Sequence, residues 1–286
     1  VGSFAKTAIK RFTAVAAAGA VLAGGFGLGS TMRTFMDYEQ GLANVRAVTQ
    51  ASAEEMKILS DEARRLGRET VWSAVQVTEA EQLLAQAGFS VQETVGALPG
   101  LLDLASAGGL DLAAATDIAA GTLRAFGLEA TQAGQVADIL AVASNATNSD
   151  VMGLGEAMKY VGPAAKAMGV DLEQTTAALG MLHDASIRGS QAGTTLRAAL
   201  TRLAKPTKQS SDLMRQLGIN AFDSSGRMLP MYEVIENLQR STAGLTEQQR
   251  ANAMATIFGQ EAMSGMLALM EQGPDRMKEL TQSLYD

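Results

Sequence analysis

The sequence predicts an all-α protein, with many short to medium helices joined by glycine-capped turns and at most one small β-hairpin near residues 219–229. The first supporting observation is a unit of glycine, one apolar residue and a side chain able to cap or charge-complement a helix. It occurs as Gly88-Phe89-Ser90, Gly109-Leu110-Asp111, Gly127-Leu128-Glu129, Gly169-Val170-Asp171, Gly218-Ile219-Asn220 and Gly244-Leu245-Thr246. Glycine takes the left-handed position after one helix, and the apolar residue folds back on its last turn. The third residue then accepts from the free N–H groups of the next helix. Glu129 is a poor N-cap, so Thr131 is the expected cap there. The second observation is composition: 47% apolar but 5% aromatic, with 15 Met and 29 Gly, which suits close helix packing with Met as adaptable filler. The third is scarcity of proline, at five residues, which leaves room for helices.

Each element follows from local grammar. Residues 4–23 read as a helix that weakens across Gly24–Gly29. Phe35, Tyr38, Leu42 and Val45 form an apolar stripe on a helix over about 31–48. Ser52 with Glu55 forms a capping box for a helix closed by Gly67, and Thr78 with Glu81 opens another, closed at Gly88. Ser90 with Glu93 opens the next, expected to end before Pro99, where proline removes a hydrogen bond and crowds the preceding turn. Leu101–Ala107 then reads as a separate short helix. Helices follow at 111–126, 131–144, 149–168 (bent or interrupted at Pro163), 171–185 and 190–204. Thr207 caps the next. Apolar pieces around Asp223–Gly226 have hairpin grammar, and Pro230 suits the start of a helix near 231–240. The last helices read as 247–272, with breaks weighed at Gly259 and Gly265, and 274–284. Gly193 lies within a helix, where its small size would permit close packing. Cap spacings in the middle of the chain suggest helical-hairpin duplication, but the intervening residues do not match at fixed offsets.

Net charge is −7, which argues against a dedicated nucleic-acid binder, and there is no Cys, which excludes disulfides and thiolate chemistry. Lys6, Lys10, Arg11 and Arg33 flank an uncharged run of 21 residues, Phe12 to Met32, containing Phe12, Val15, Val21, Leu22, Phe26 and Leu28. Its length could span a bilayer, although its five glycines and six alanines make it only marginally hydrophobic. It admits three readings: a membrane-active or self-associating helix, with a transmembrane helix as its strongest form; a packing helix; or a signal sequence. Residues 1–36 are accordingly set apart from a helical domain at 37–286, with a subdivision considered near 205–210.

No catalytic motif stands out. His183 is the sole histidine, and Asp184 beside it points elsewhere on a helix, so a structural role is expected. No metal loop, phosphate loop or cofactor motif is present, and none of these groups is expected to bind. Arg188, Arg197, Arg202, Lys205 and Lys208 form a basic run over 21 residues with no acid between Asp184 and Asp212. It reads as a solvated helix face or as a surface for a polyanion or acidic partner.

Several segments together carry a more specific pattern. They are YEQGLANVRAV (38–48), AGFSVQETVGALPGLLDL (87–104), AGGLDLAAATDIAAGTLRAFGL (107–128) and LGEAMKYVGPAAKAMG (154–169), then IRGSQAGTTLRAALTRLAKP (187–206), LGINAFDSSGRML (217–229) and GLTEQQRANAMATIFG (244–259). In this order they resemble the conserved N-terminal region of phage tail tape measure proteins of the TP901 type. The resemblance runs from about residue 37 to 284.

The resemblance implies a structural role: running through the lumen of the growing tail tube, setting its length and leaving with genome ejection. It implies tail tube protein, tail tip or baseplate hub proteins and tail assembly chaperones as partners, together with self-association, host membrane contact and transient proximity to phage DNA. It implies a virion tail location after assembly in the host cytoplasm. It supplies no catalytic residues, and no enzymatic activity is expected. Continuous helix of this length would span only about 430 Å, so the sequence reads as part of a longer protein. The competing readings are a membrane-inserting or pore-forming helical protein and, on little ground, a peptidoglycan hydrolase.

Overall fold

The computed structural model describes residues 28–285, all of whose regular elements are helical. Two compact units divide between Glu79 and Ala80. The helices are α1 (Leu28–Thr49), α2 (Ala53–Glu69), α3 (Ala74–Gln86), α4 (Val91–Gly108), α5 (Leu112–Phe126), a 3-10 turn (Ala130–Gln132), α6 (Ala133–Ala146) and α7 (Val151–Ala167). They continue as α8 (Leu172–Asp184), α9 (Gly189–Ala204), α10 (Lys208–Leu217), α11 (Met231–Thr242), α12 (Glu247–Phe258), α13 (Gln260–Gln272) and α14 (Pro274–Tyr285). The helix expected at 4–23 lies outside the described residues.

In the first unit, Tyr38 on α1 donates its hydroxyl to the Ser60 carbonyl of α2 at 3.0 Å, and the Arg64 guanidinium lies 5.4 Å from its ring centroid. Two expectations change here. Gly67 does not close α2, which continues to Glu69 and is capped by extended Thr70. Its missing side chain instead lets Ala74 approach, since a Cβ on Gly67 would lie 2.6 Å from the Ala74 nitrogen. Thr78 and Glu81 do not start α3. Ser73 and Gln76 do, exchanging backbone and side-chain bonds of 2.9 and 3.3 Å in a capping box, while Thr78 is buried within the helix.

The second unit is built from two sets of parallel helices. Along α5 and α7, Gly155 meets Ile118, Gly162 meets Ala125, and Lys166 meets Gly127; Lys159 pairs with Asp117. Along α7 and α9, Ala157 meets Gly193 and Tyr160 meets Arg197. In the other set, Gly100 on α4 meets Gly134 on α6. Gln135 on α6 then bonds Glu173 on α8 at 3.0 Å, and the Asn148 N–H after α6 bonds Asp184 at 2.6 Å. Apart from the long Lys159 side chain reaching back to Asp117, residue numbers rise together in each series, with Gly96 against Thr131 preceding Gly100 against Gly134, so α5, α7 and α9 run one way in register, as do α4, α6 and α8. The bonded partners are 36, 38 and 42 residues apart, so each of these contacts joins helices two apart in the chain.

Glycine makes these approaches feasible. A Cβ on Gly193 would run into the Ala157 carbonyl, and one on Gly100 into the backbone of Ala133 and Gly134. The same packing carries two prolines through helix interiors. Pro99 does not end α4, and Pro163 does not interrupt α7. An interior proline costs about 3 kcal/mol, whereas each fully buried Leu contributes about 1.5–3 kcal/mol. Leu98, Leu101, Leu102 and Leu104 are all buried around Pro99, and the two expected helices fuse.

The C-terminal helices close the stack. Gly265 on α13 meets Thr195 and Gly259 meets Arg202, so α13 runs antiparallel to α9. On α14, Arg276 donates to the Ala146 carbonyl at 2.9 Å, and Tyr285 reaches Asp171 at the start of α8. Helices α12 and α13 break at Gly259, whose φ is +79°, and not at Gly265, which stays buried within α13. The expected hairpin reduces to one antiparallel bridge, Phe222 with Met228, and no β-strand forms among the described residues. Asp223 N–H to Arg227 O and Leu229 N–H to Ala221 O flank the bridge. Pro230 then ends the pairing, because it has no N–H to offer a ladder.

Candidate functional site

The cap residues are placed as follows. Gly88, Gly109, Gly169 and Gly218 have φ of +89°, +58°, +74° and +71°. Ser90 accepts from the Glu93 N–H at 3.3 Å, Asp111 from Ala114 at 2.7 Å, Asp171 from Gln174 at 2.8 Å and Thr246 from Gln249 at 3.3 Å. Three expectations need correction. Gly244 is not a left-handed cap: its φ lies outside that range, and α11 ends on Ala243 in right-handed geometry. Thr131 is not an N-cap, because Gln132 reaches back to the Glu129 N–H at 2.9 Å while the Thr131 methyl packs on Gly96. Asn220 caps no helix; its N–H donates to Asn237 at 2.9 Å as the chain enters the bridge.

The transmembrane-helix expectation is also corrected. Among the described residues no helix is long and apolar enough to cross a membrane. Leu28 opens α1, whose 22 residues include Arg33, Asp37, Glu39 and Arg46. Phe12, Val15, Val21, Leu22 and Phe26 lie outside the described residues.

His183 is fully buried in α8. Its Nε2 accepts from the Gly189 N–H at 3.1 Å, which places the proton on Nδ1, where it has no partner. Burial pushes its pKa down; the Asp150 carboxylate opposes that shift, Arg188 adds to it, and Asp184 opposes it more weakly. This histidine ties α8 to the start of α9, and Asp184 turns away to the Asn148 N–H. Among the described residues no group of three or more His, Cys, Asp or Glu could hold a metal ion.

The basic run is spread along α9. Arg188 sits at its N-terminal boundary, Arg197 midway over the Tyr160 ring, and Lys205 at its C-terminal boundary, on a helix about 24 Å long. Arg202 is half-buried with its guanidinium against Gly259, whereas Arg188, Arg197, Lys205 and Lys208 are exposed. None of the five makes an ion pair among the described residues. Arg202 lies in the last turn of α9, as Lys166 does in α7 and Arg124 in α5, where the helix dipole favours a cation.

These features define a helical packing domain stacked through glycine contacts, with no catalytic constellation assembled among the described residues. Residues 60–259 match the family described as phage-related minor tail protein, and the chain belongs to that family. It is 45% identical over 250 residues to the tape measure protein of Pneumococcus phage Dp-1, covering 87% of this chain and 22% of that protein. It is 36% identical over 238 residues to the probable tape measure protein of Escherichia phage P2, covering 82% of this chain and 29% of that protein. The chain thus spans less than a third of the length of these relatives, and its sequence is of the tape measure type. No solved structure matches it.

Proposed function

We propose that this chain is a structural domain of a tail tape measure protein, acting in tail assembly inside the tail tube, taking part in tail length determination and leaving with the genome. The observation that carries the reading is the similarity to two tape measure proteins over more than four fifths of the chain. The stacked helices suit it, because they present packing faces rather than a reaction centre. Tail tube protein, tail tip or baseplate hub proteins and tail assembly chaperones are the proposed partners. Arg197, Lys205 and Lys208 are exposed cations available to acidic groups on one of them.

The domain is proposed to have no hydrolase activity. The TP901 subtype belongs to this proposal too, resting on the segments from Tyr38 to Gly259. In-frame removal of residues 80–286 from the parent gene tests the assembly role. Loss or gross shortening of tails in electron micrographs is expected; normal infectious tails would overturn it. Cell-wall zymography of the purified chain should show no clearing.

A further inference from the structure

A second feature of the fold stands apart from the tail-assembly reading. Residues of α11, α12 and α13 line an open cavity of about 680 Å³. Leu267 and Met270 supply apolar wall, and Arg250, Glu247 and Glu271 supply charge. The Nε of Arg250 is buried and has no hydrogen-bond partner. Among the described residues its side chain makes no hydrogen bond or ion pair, although both carboxylates line the same space. A guanidinium Nε buried without an acceptor is unfavourable, and on this half-buried side chain the planar donor fork matches a carboxylate.

The two glutamates restrict what can enter. With Glu247 and Glu271 exposed at the lining, the three charged groups sum to a negative site, which disfavours a bare anion. A carboxylate accompanied by an ammonium satisfies both signs, with the carboxylate on Arg250 and the ammonium between the glutamates. We propose that this cavity is a binding site for a peptide segment carrying an acidic and a basic side chain side by side, with Arg250 as the carboxylate anchor. An adjacent Glu-Lys or Asp-Lys pair meets that description. The apolar wall takes the stems of the two side chains.

The test is titration calorimetry on the full chain with an N-acetylated, C-amidated Gly-Ala-Glu-Lys-Ala-Gly peptide. Saturable binding is expected, weakened about tenfold or more by Arg250→Gln and by replacing the peptide's Glu with Gln. Thermal melting separates this from misfolding: Arg250→Met should melt no lower than the parent chain, because it removes an unpaired buried group. Free glycine, which carries one carboxylate and one ammonium without a peptide chain, is the second arm. Binding as tight as the peptide's would keep the chemistry and assign it to a free amino acid. Three results would overturn the site: no saturation by either probe at millimolar concentration, unchanged binding by Arg250→Gln, or tighter binding of inorganic phosphate than of the peptide.

Discussion

The Tyr285 hydroxyl donates to the Asp171 carboxylate across 2.7 Å, joining the last turn of α14 to the residue that caps α8. Asp171 also accepts from the Gln174 backbone at 2.8 Å and from its side-chain amide at 2.7 Å. Gln174 in turn accepts from the Met231 N–H at 2.9 Å, so one cap holds the starts of α8 and α11 and the end of α14 together. Burial, then the bond to Asp171, pushes the Tyr285 pKa upward.

Tyr285→Phe should therefore destabilise by about 1 kcal/mol, the lower end for a bond to a charged acceptor because Tyr285 is half-exposed. Asp171→Ala should cost about 1–2 kcal/mol, since it also removes the cap. Urea denaturation of both single variants and the double variant checks this. The double should cost less than the sum, because the two groups share one bond.

Glycines should differ in what they tolerate. Gly193→Ala drives a methyl into the Ala157 carbonyl and should cost about 1–3 kcal/mol through forced separation of α7 and α9. Gly169→Ala meets no atom within 4 Å but keeps a φ of +74°, for a cost of about 1 kcal/mol. Gly244→Ala meets neither obstacle and should leave the melting temperature unchanged. Equal losses at all three positions would contradict the assignment of separate roles.

Stability should fall on acidification through His183. Its folded pKa lies below the ordinary 6.5 because burial disfavours the imidazolium. The neutral ring's contribution is then fully present above 6.5 and is lost as pH falls below it toward and through the folded value. Protonation also converts Nε2 from acceptor to donor against the Gly189 N–H. Melting curves at successive pH values should show a decline that Gln at position 183 reduces, while the carboxylate-driven loss at lower pH persists.

Pro99→Ala should raise stability, because it restores a donor to the middle of α4 without emptying the core made by Leu98 and Leu101. Calorimetric melting checks it; a lower melting temperature would mean that the proline ring itself is an essential packing element.

Interactions within four residues made much of this protein legible in its sequence. Ser52 with Glu55 and Ser90 with Glu93 form capping boxes, and Asp111, Asp171 and Thr246 cap their helices, because acceptor and donor lie one turn apart. The all-α class follows from these short-range preferences summed along the chain. Other features depended on contacts between residues distant in the chain. Gly67 and Gly193 look like any other glycine until Ala74 and Ala157 approach them. Pro99 carries the local signal of a helix end, which leucine burial from neighbouring helices overrides. Arg250 sits three residues from Glu247 and pairs with it nowhere; only the closure of α11, α12 and α13 around it leaves its Nε buried. Local hydrogen bonding selects helices and their ends, whereas burial of surface against partners tens of residues away decides which exceptions survive.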